Sequence, residues 1–163
     1  MAFSLLPHAS AQVLAEAVQA ELRVSHLYKH LSNQMQRAGY LGTAKWFAAE
    51  SSDELGHYQK IADYLNDRGS VATLPAIEAF DETISELKAA ISKAFKEEVN
   101  LGERYAKWYS TLVTADPTTA QFLLQFLEIQ RTSAGEYGDW FSRINLANND
   151  PAALLLIDRE LGE

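Results

Sequence analysis

Residues 84–112 read ISELKAAISKAFKEEVNLGERYAKWYSTL. Stepping through them by three and four selects Ile84, Leu87, Ile91, Ala94, Glu98, Leu101, Tyr105, Trp108 and Leu112. That spacing puts all nine side chains on one face of a helix, the face it must bury. The only charge in the stripe is Glu98, at its middle. A helix of this length with one buried-side carboxylate asks for neighbours of matching length, and the rest of the chain supplies them.

Working outward, few prolines and glycines interrupt long periodic segments, and they read as punctuation. Ser10 is the predicted N-cap of a first helix that runs to about Ala38 and ends at Gly39. A second helix runs from about Thr43 to just before Gly69. The stretch 69–80, with Leu74-Pro75-Ala76-Ile77, has no clean period and is too long for a tight turn, so it reads as a crossover. Asp81 or Thr83 is the predicted cap of the third helix, which extends to about Thr114. Asp116-Pro117 opens the fourth, from about Thr118 to Leu146, and Asn148-Asn149-Asp150-Pro151 opens a short fifth, from Ala152 to about Leu161. No alternating strand pattern occurs. The expectation is an all-α fold, a single domain over 1–163: a four-helix bundle with a short fifth helix. The long link makes the second and third helices parallel, and short links make the other neighbours antiparallel.

The other inward stripes are interrupted at the same height. The first helix presents Leu14, Val18, Glu21, Ser25, Tyr28, Leu31 or Ser32, and Met35. The second presents Phe47, Glu50, Glu54, His57, Ile61 and Leu65; the fourth presents Leu123, Phe126, Gln130, Ser133, Tyr137, Trp140 and Ile144. Taken singly, each polar group has an ordinary explanation: a glutamate on a solvated face, a satisfied histidine, a tyrosine with its hydroxyl at the rim, a buried amide. Four helices agreeing on one level do not. An ionised carboxylate in a bundle centre costs several kcal/mol unless it is neutralised, and no lysine or arginine falls on these stripes. A metal is the simplest neutraliser. Glu54 and His57, at i and i+3, point to the same side of one helix, the spacing used by the carboxylate-x-x-histidine ligand pair of dinuclear bundles. Glu21 lies 33 residues before Glu54 and Gln130 lies 32 after Glu98, an approximate internal duplication.

Composition narrows the chemistry. Across 163 residues there is no cysteine, so any metal is held by oxygen and imidazole groups, which favours hard ions. The net charge of −8 argues against nucleic acid as a partner. No apolar run approaches a membrane span, and the N-terminal Met1-Ala2-Phe3-Ser4-Leu5-Leu6-Pro7-His8 lacks a basic region before its apolar run, so a soluble cytoplasmic protein is expected.

With those residues in hand, the chain resembles the ferritin family over nearly its whole length, and within it the bacterial-type, non-haem ferritins. The resemblance is carried by Glu21 with Tyr28 seven residues on, by Asp53-Glu54-Leu55-Gly56-His57, by Ala94-Phe95-Lys96-Glu97-Glu98, by Glu128-Ile129-Gln130, and by the tail Leu156-Ile157-Asp158-Arg159-Glu160-Leu161. It implies a ferritin-like bundle and a homo-oligomeric shell of 24 subunits around a ferric mineral. Each subunit would hold two irons in a ferroxidase centre that oxidises Fe(II) with dioxygen. Glu21, Glu54 and His57 would hold the first iron; Glu54 would bridge to a second held mainly by Glu98. Gln130 would orient water or dioxygen, and Tyr28 would hydrogen-bond near the first iron and could donate an electron. The stripe as well as the match favours Glu98 over Glu97.

Departures from the pattern also carry meaning. Where bacterioferritins have a second ligand pair on the fourth helix, this chain has Gln130 and Ser133, which implies a weaker, more open second site that passes iron onward. Their haem-ligating methionine is replaced by Leu55, so no haem is expected. Ser133 also stands where some bacterial ferritins carry an extra glutamate, which argues against a well-formed third iron site. The acidic pair of animal threefold pores falls at Ala120 and Leu123, which argues against an acidic iron route there. Glu50, one turn before Glu54, is a candidate transit ligand; a glutamate at the bundle rim is the equal alternative. Other classes to weigh are a di-iron oxygenase acting on an organic substrate, a cation-stabilised structural bundle, and a DNA-protecting mini-ferritin. Storage, rapid Fe(II) detoxification and peroxide protection stay open as biological roles.

Overall fold

A computed structural model describes residues 3–163; Met1 and Ala2 of the N-terminal run lie outside it. Five helices follow in order: α1 (His8–Ala38), α2 (Leu41–Asp67), α3 (Leu87–Leu112), α4 (Pro117–Ala147) and α5 (Pro151–Leu161). Among the described residues there is no strand. The third-helix stripe is buried along its full length, from Ile84 to Leu112, with Glu98 fully enclosed.

Side-chain pairs fix the directions of the helices. Between α1 and α2, Ser25 bonds Ser51 and Ser32 donates to the Ala44 carbonyl, so sequence numbers rise in one helix as they fall in the other. Between α1 and α3, Tyr28 meets Glu98 and Tyr105 meets Glu21, again antiparallel. It follows that α2 and α3 run parallel, as the long link requires. Between α2 and α4, Tyr64 stacks on Phe122 and Trp46 meets Trp140, so these two are antiparallel as well. Leu14, Leu31, Phe47, Ile91, Leu112 and Phe126 are fully buried in the core, and each such side chain contributes about 1.5–3 kcal/mol.

Two predicted caps are corrected. Ser10 is not the N-cap of α1: the helix already begins at His8 after Pro7, and the buried Ser10 hydroxyl donates instead to Asp116 Oδ2 at 2.7 Å. Nor does α3 begin at Asp81 or Thr83. It starts at Leu87 because α1 claims the preceding backbone: the Ile84 N–H donates to Gln34 Oε1 at 3.0 Å, and the Glu82 carbonyl pairs with the His30 ring at 2.8 Å. The crossover is thus pinned along α1, with Arg23 tied to Glu78 and lying over the Phe80 ring.

Asp116 and Asp150, in the segments that open α4 and α5, cap those helices: each carboxylate accepts the N–H three residues on, ahead of a proline at the first helical position. Helix α2 has no capping side chain of its own. Asp158 of α5 supplies one, accepting the N–H groups of Gly42 and Thr43 at 3.1 and 2.7 Å and the Thr43 hydroxyl at 2.7 Å. Gly42 and Gly162 permit this docking, since a Cβ at Gly42 would sit 1.8 Å from the Asp158 carbonyl oxygen.

Candidate metal centre

Halfway along the bundle, α1 contributes Glu21, α2 contributes Glu54 and His57, α3 contributes Glu98 and α4 contributes Gln130. All four helices are long and continuous here, so the side chains stand on rigid backbone. One ligand atom each from Glu21, Glu54 and His57 lies within 4.8 Å of the others. His57 Nδ1 is 3.2 Å from Glu54 Oε2 and 3.6 Å from Glu21 Oε2. The three carboxylates Glu21, Glu54 and Glu98 and the amide Gln130 are buried; His57 is half-buried.

Glu98 sits beside this cluster. The Tyr28 hydroxyl donates to its Oε1, and Gln130, with its amide nitrogen turned inward, donates to its Oε2 at 2.7 Å. Sequence placed Tyr28 near the first iron; the structure puts its hydroxyl on the carboxylate assigned to the second. Glu97, one residue off the stripe, points away and pairs with Arg23 at 2.6 Å. Glu50 is half-buried at the edge, with Oε2 accepting from Tyr137 at 3.0 Å. Beyond it lies a cleft of about 390 Å³ lined by Glu50, Asp53, Glu54, His57, Ser133 and Glu136, which connects the centre to the outside.

Two tyrosines carry roles that the stripes alone did not assign. Tyr105 donates its hydroxyl to Glu21 Oε1, and Tyr137 holds Glu50 while stacking on Tyr28 with ring centroids 6.1 Å apart. The signal for Tyr105 was present in the numbering: it follows Glu98 by the same seven residues that separate Tyr28 from Glu21. Ala120 and Leu123, matched to pore-lining positions, are buried in the bundle interior, so that correspondence fails here. Leu55 is about half exposed on the outer face of α2.

The protonation pattern reflects crowded negative charge. Burial, then repulsion from Glu50 and Glu21, lifts Glu98 to about 7 against the Tyr28 hydrogen bond. Burial lifts Glu54 well above the usual carboxylate range. Burial lifts Glu50 to about 7 as well. Burial alone would depress His57, but the carboxylates Glu21 and Glu54 outweigh it and raise the imidazole to about 10. Glu21 resists its own burial because His57, Glu54 and Tyr105 surround it with favourable partners, and it stays below its ordinary value. Protons on Glu54, Glu98 and His57 thus offset part of the crowded negative charge. Glu21 Oε2 is still buried with no hydrogen-bond partner. A buried orphan oxygen is costly, and this one aims at the cluster. An oxygen-rich donor set with one imidazole fits iron, manganese or another hard divalent ion.

A ferritin-like domain profile matches residues 11–147, which spans all four long helices. The chain belongs to the ferritin family. Among curated ferritin relatives, a probable bacterial non-heme ferritin-like protein of Haemophilus influenzae is 28% identical over 93% of this chain and 92% of its own length. A bacterial non-heme ferritin of Staphylococcus aureus is 26% identical over the same shares. In three dimensions, an open-pore ferritin from the archaeon Archaeoglobus fulgidus superposes with a TM-score of 0.92 at 24% identity, covering 96% of this chain and 98% of that one. The ferritin bundle with its short fifth helix is therefore the fold, and the bacterial non-haem branch is the one this chain resembles.

Proposed function

We propose that this ferritin stores and detoxifies iron, oxidising Fe(II) with dioxygen at a dinuclear centre inside each subunit and passing the product into the cavity of a homo-oligomeric shell. The observation that carries this reading is the buried, unpartnered Glu21 Oε2 facing Glu54 and His57, in a cluster that no lysine or arginine enters as an ion-pair partner among the described residues. Membership of the family supports iron as the cation and storage as the general role.

In this reading Fe(II) is substrate. Glu21, Glu54 and His57 hold one ion, and Glu98 holds the second, with Glu54 between them. Two ions at fixed separation deliver two electrons to one dioxygen, and the protein's part is position and charge. Tyr28 and Gln130 already fix both oxygens of Glu98, so this carboxylate is oriented before an ion arrives. To receive ions, His57 gives up the proton on the nitrogen that faces the carboxylates, and Glu54 and Glu98 give up theirs. Glu50, one turn toward the cleft, is placed to hand ions between the centre and solvent. Ser133, half-buried in the cleft wall, leaves that side open where a glutamate or histidine would close it.

The test is the stoichiometry of the fast absorbance change when Fe(II) is mixed with metal-free protein in air. The expected result is saturation at about two irons per chain, abolished by Glu54→Ala. No fast phase, or one untouched by losing Glu54, would leave a cation-stabilised structural bundle instead. Native mass of the intact assembly tests the shell.

A further inference from the structure

Glu21 and Glu98 are braced in the same way from opposite sides. The α1 tyrosine, Tyr28, crosses to the α3 carboxylate, and the α3 tyrosine, Tyr105, crosses to the α1 carboxylate. Both tyrosines are buried, and each lies seven residues after the glutamate on its own helix. Because α1 and α3 are antiparallel, a seven-residue step, two helical turns of about 10.5 Å, carries each hydroxyl to the other helix's ligand level. The arrangement is a reciprocal brace: two helices, two carboxylates, two phenols.

We infer that Tyr105 is a positioning residue for the first iron site, holding Glu21 Oε1 so that Glu21 presents Oε2 alone to the metal. The inference rests on the proposed reading of Glu21, Glu54, His57 and Glu98 as metal ligands. Its geometric basis is the division of labour on Glu21: Oε1 accepts from Tyr105, while Oε2 has no partner and faces His57 at 3.6 Å. The phenol cannot drift, because its ring stacks on Phe126 at 5.1 Å and 9° and meets the edge of Trp108 at 5.0 Å. A carboxylate free to rotate could chelate with both oxygens; one tethered through a buried phenol is held to a single donor. Tyr28 does the corresponding work on Glu98, with Gln130 on the other oxygen.

The experiment separates the two sites with Co(II), which stays divalent in air and reports its coordination through visible absorption bands. In a Glu98→Ala background only the Glu21, Glu54 and His57 site remains. There, adding Tyr105→Phe is expected to weaken Co(II) by about 10–100-fold, the usual cost of losing a hydrogen bond that orients a ligand. It is also expected to shift the bands as Glu21 turns bidentate. Adding Tyr64→Phe in the same background, which removes a hydroxyl that pairs with Thr119 away from the cluster, is expected to leave affinity and bands unchanged. Tyr105→Phe keeps the ring and its stacking, so the fold persists. Equal effects of the two phenylalanine variants, or no effect of Tyr105→Phe, would overturn the inference. Absence of Co(II) binding by the wild-type chain would instead overturn the metal-centre reading beneath it.

Discussion

Glu21 Oε2 and His57 Nδ1 face each other across the seam between α1 and α2 at 3.6 Å, beyond a good hydrogen bond, and the oxygen has no other partner. This gap is what the proposed metal centre rests on. Its consequences for the metal-free chain can be worked out from the protons it must hold.

The first prediction concerns pH. Folding raises Glu98 and Glu50 from an ordinary 4.5 to about 7, and His57 from 6.5 to about 10. A group whose folded value is raised stabilises the fold fully below its unfolded value and stops doing so as pH climbs through the folded one. All three therefore act in the same direction. Glu21, lowered on folding, matters only on the acid side. Metal-free protein should lose stability steadily between about pH 6 and pH 9. Denaturant midpoints measured across that range check it. Glu98→Gln, which can still bond Tyr28, should flatten the profile and raise the midpoint at pH 8; a profile that rises with pH would contradict the argument.

Metal loading should reverse that trend. A divalent ion binds the deprotonated ligands, so its affinity grows with pH and binding releases protons. Saturation at one hundred times the dissociation constant stabilises the fold by about 2.7 kcal/mol per site. In a chain of this size that is a rise of roughly 2–4 °C per kcal/mol in the thermal midpoint. Co(II) should thus raise the midpoint more at pH 8 than at pH 6, and an unbuffered titration should acidify. Equal shifts at both pH values would show that the ion binds surface carboxylates instead.

How far sequence alone could reach is clear from α3. Every residue of its stripe is buried, because a long helix against three neighbours has one inward face and the periodicity must follow it. The same rigidity put Glu21, Glu54, His57, Glu98 and Gln130 at one height. What escaped depends on partners from elsewhere in the chain. Ser10 has the chemistry of a cap, but Asp116, far along the sequence, takes its hydroxyl. The start of α3 slid to Leu87 because His30 and Gln34 compete for the backbone before it. Tyr105 looked like ordinary core until the antiparallel pairing of α1 and α3 set it against Glu21. Periodicity shows which face is inward; it does not show which inward group touches which.

Glu50 and Tyr137 give a kinetic prediction. Glu50 lies one turn outside Glu54 and lines the cleft, held by the Tyr137 hydroxyl at 3.0 Å. As a transit ligand it has no part in the first oxidation but is needed to clear the centre. Glu50→Ala should spare the initial burst and slow later turnovers several-fold. Tyr137→Phe, which frees Glu50 without removing it, should do less. Repeated Fe(II) additions followed by absorbance distinguish these cases, and unchanged turnover in Glu50→Ala would reduce the residue to a rim glutamate.

The last prediction lies far from the metal. Helix α2 carries Glu54 and His57, yet its N-terminus has no cap of its own and borrows Asp158 from α5. Two backbone N–H groups and the Thr43 hydroxyl converge on that one buried carboxylate, so removing it strands three donors at once. A lost N-cap costs about 0.5–2 kcal/mol, and stranding buried donors pushes toward the upper end. Asp158→Ala should therefore lower stability by about 2 kcal/mol and loosen α5, raising hydrogen exchange at Gly42 and Thr43. Asp158→Asn should lose less, since an amide oxygen still accepts. Gly42→Ala should undock α5 by a different route, because its Cβ would collide with the Asp158 carbonyl. The proposed metal centre sits three turns deeper along α2 on continuous helix, so the first Fe(II) burst should survive all three changes. If the burst disappears with α5, the centre depends on that docking, and the division between a capped helix end and an independent metal-binding middle is wrong.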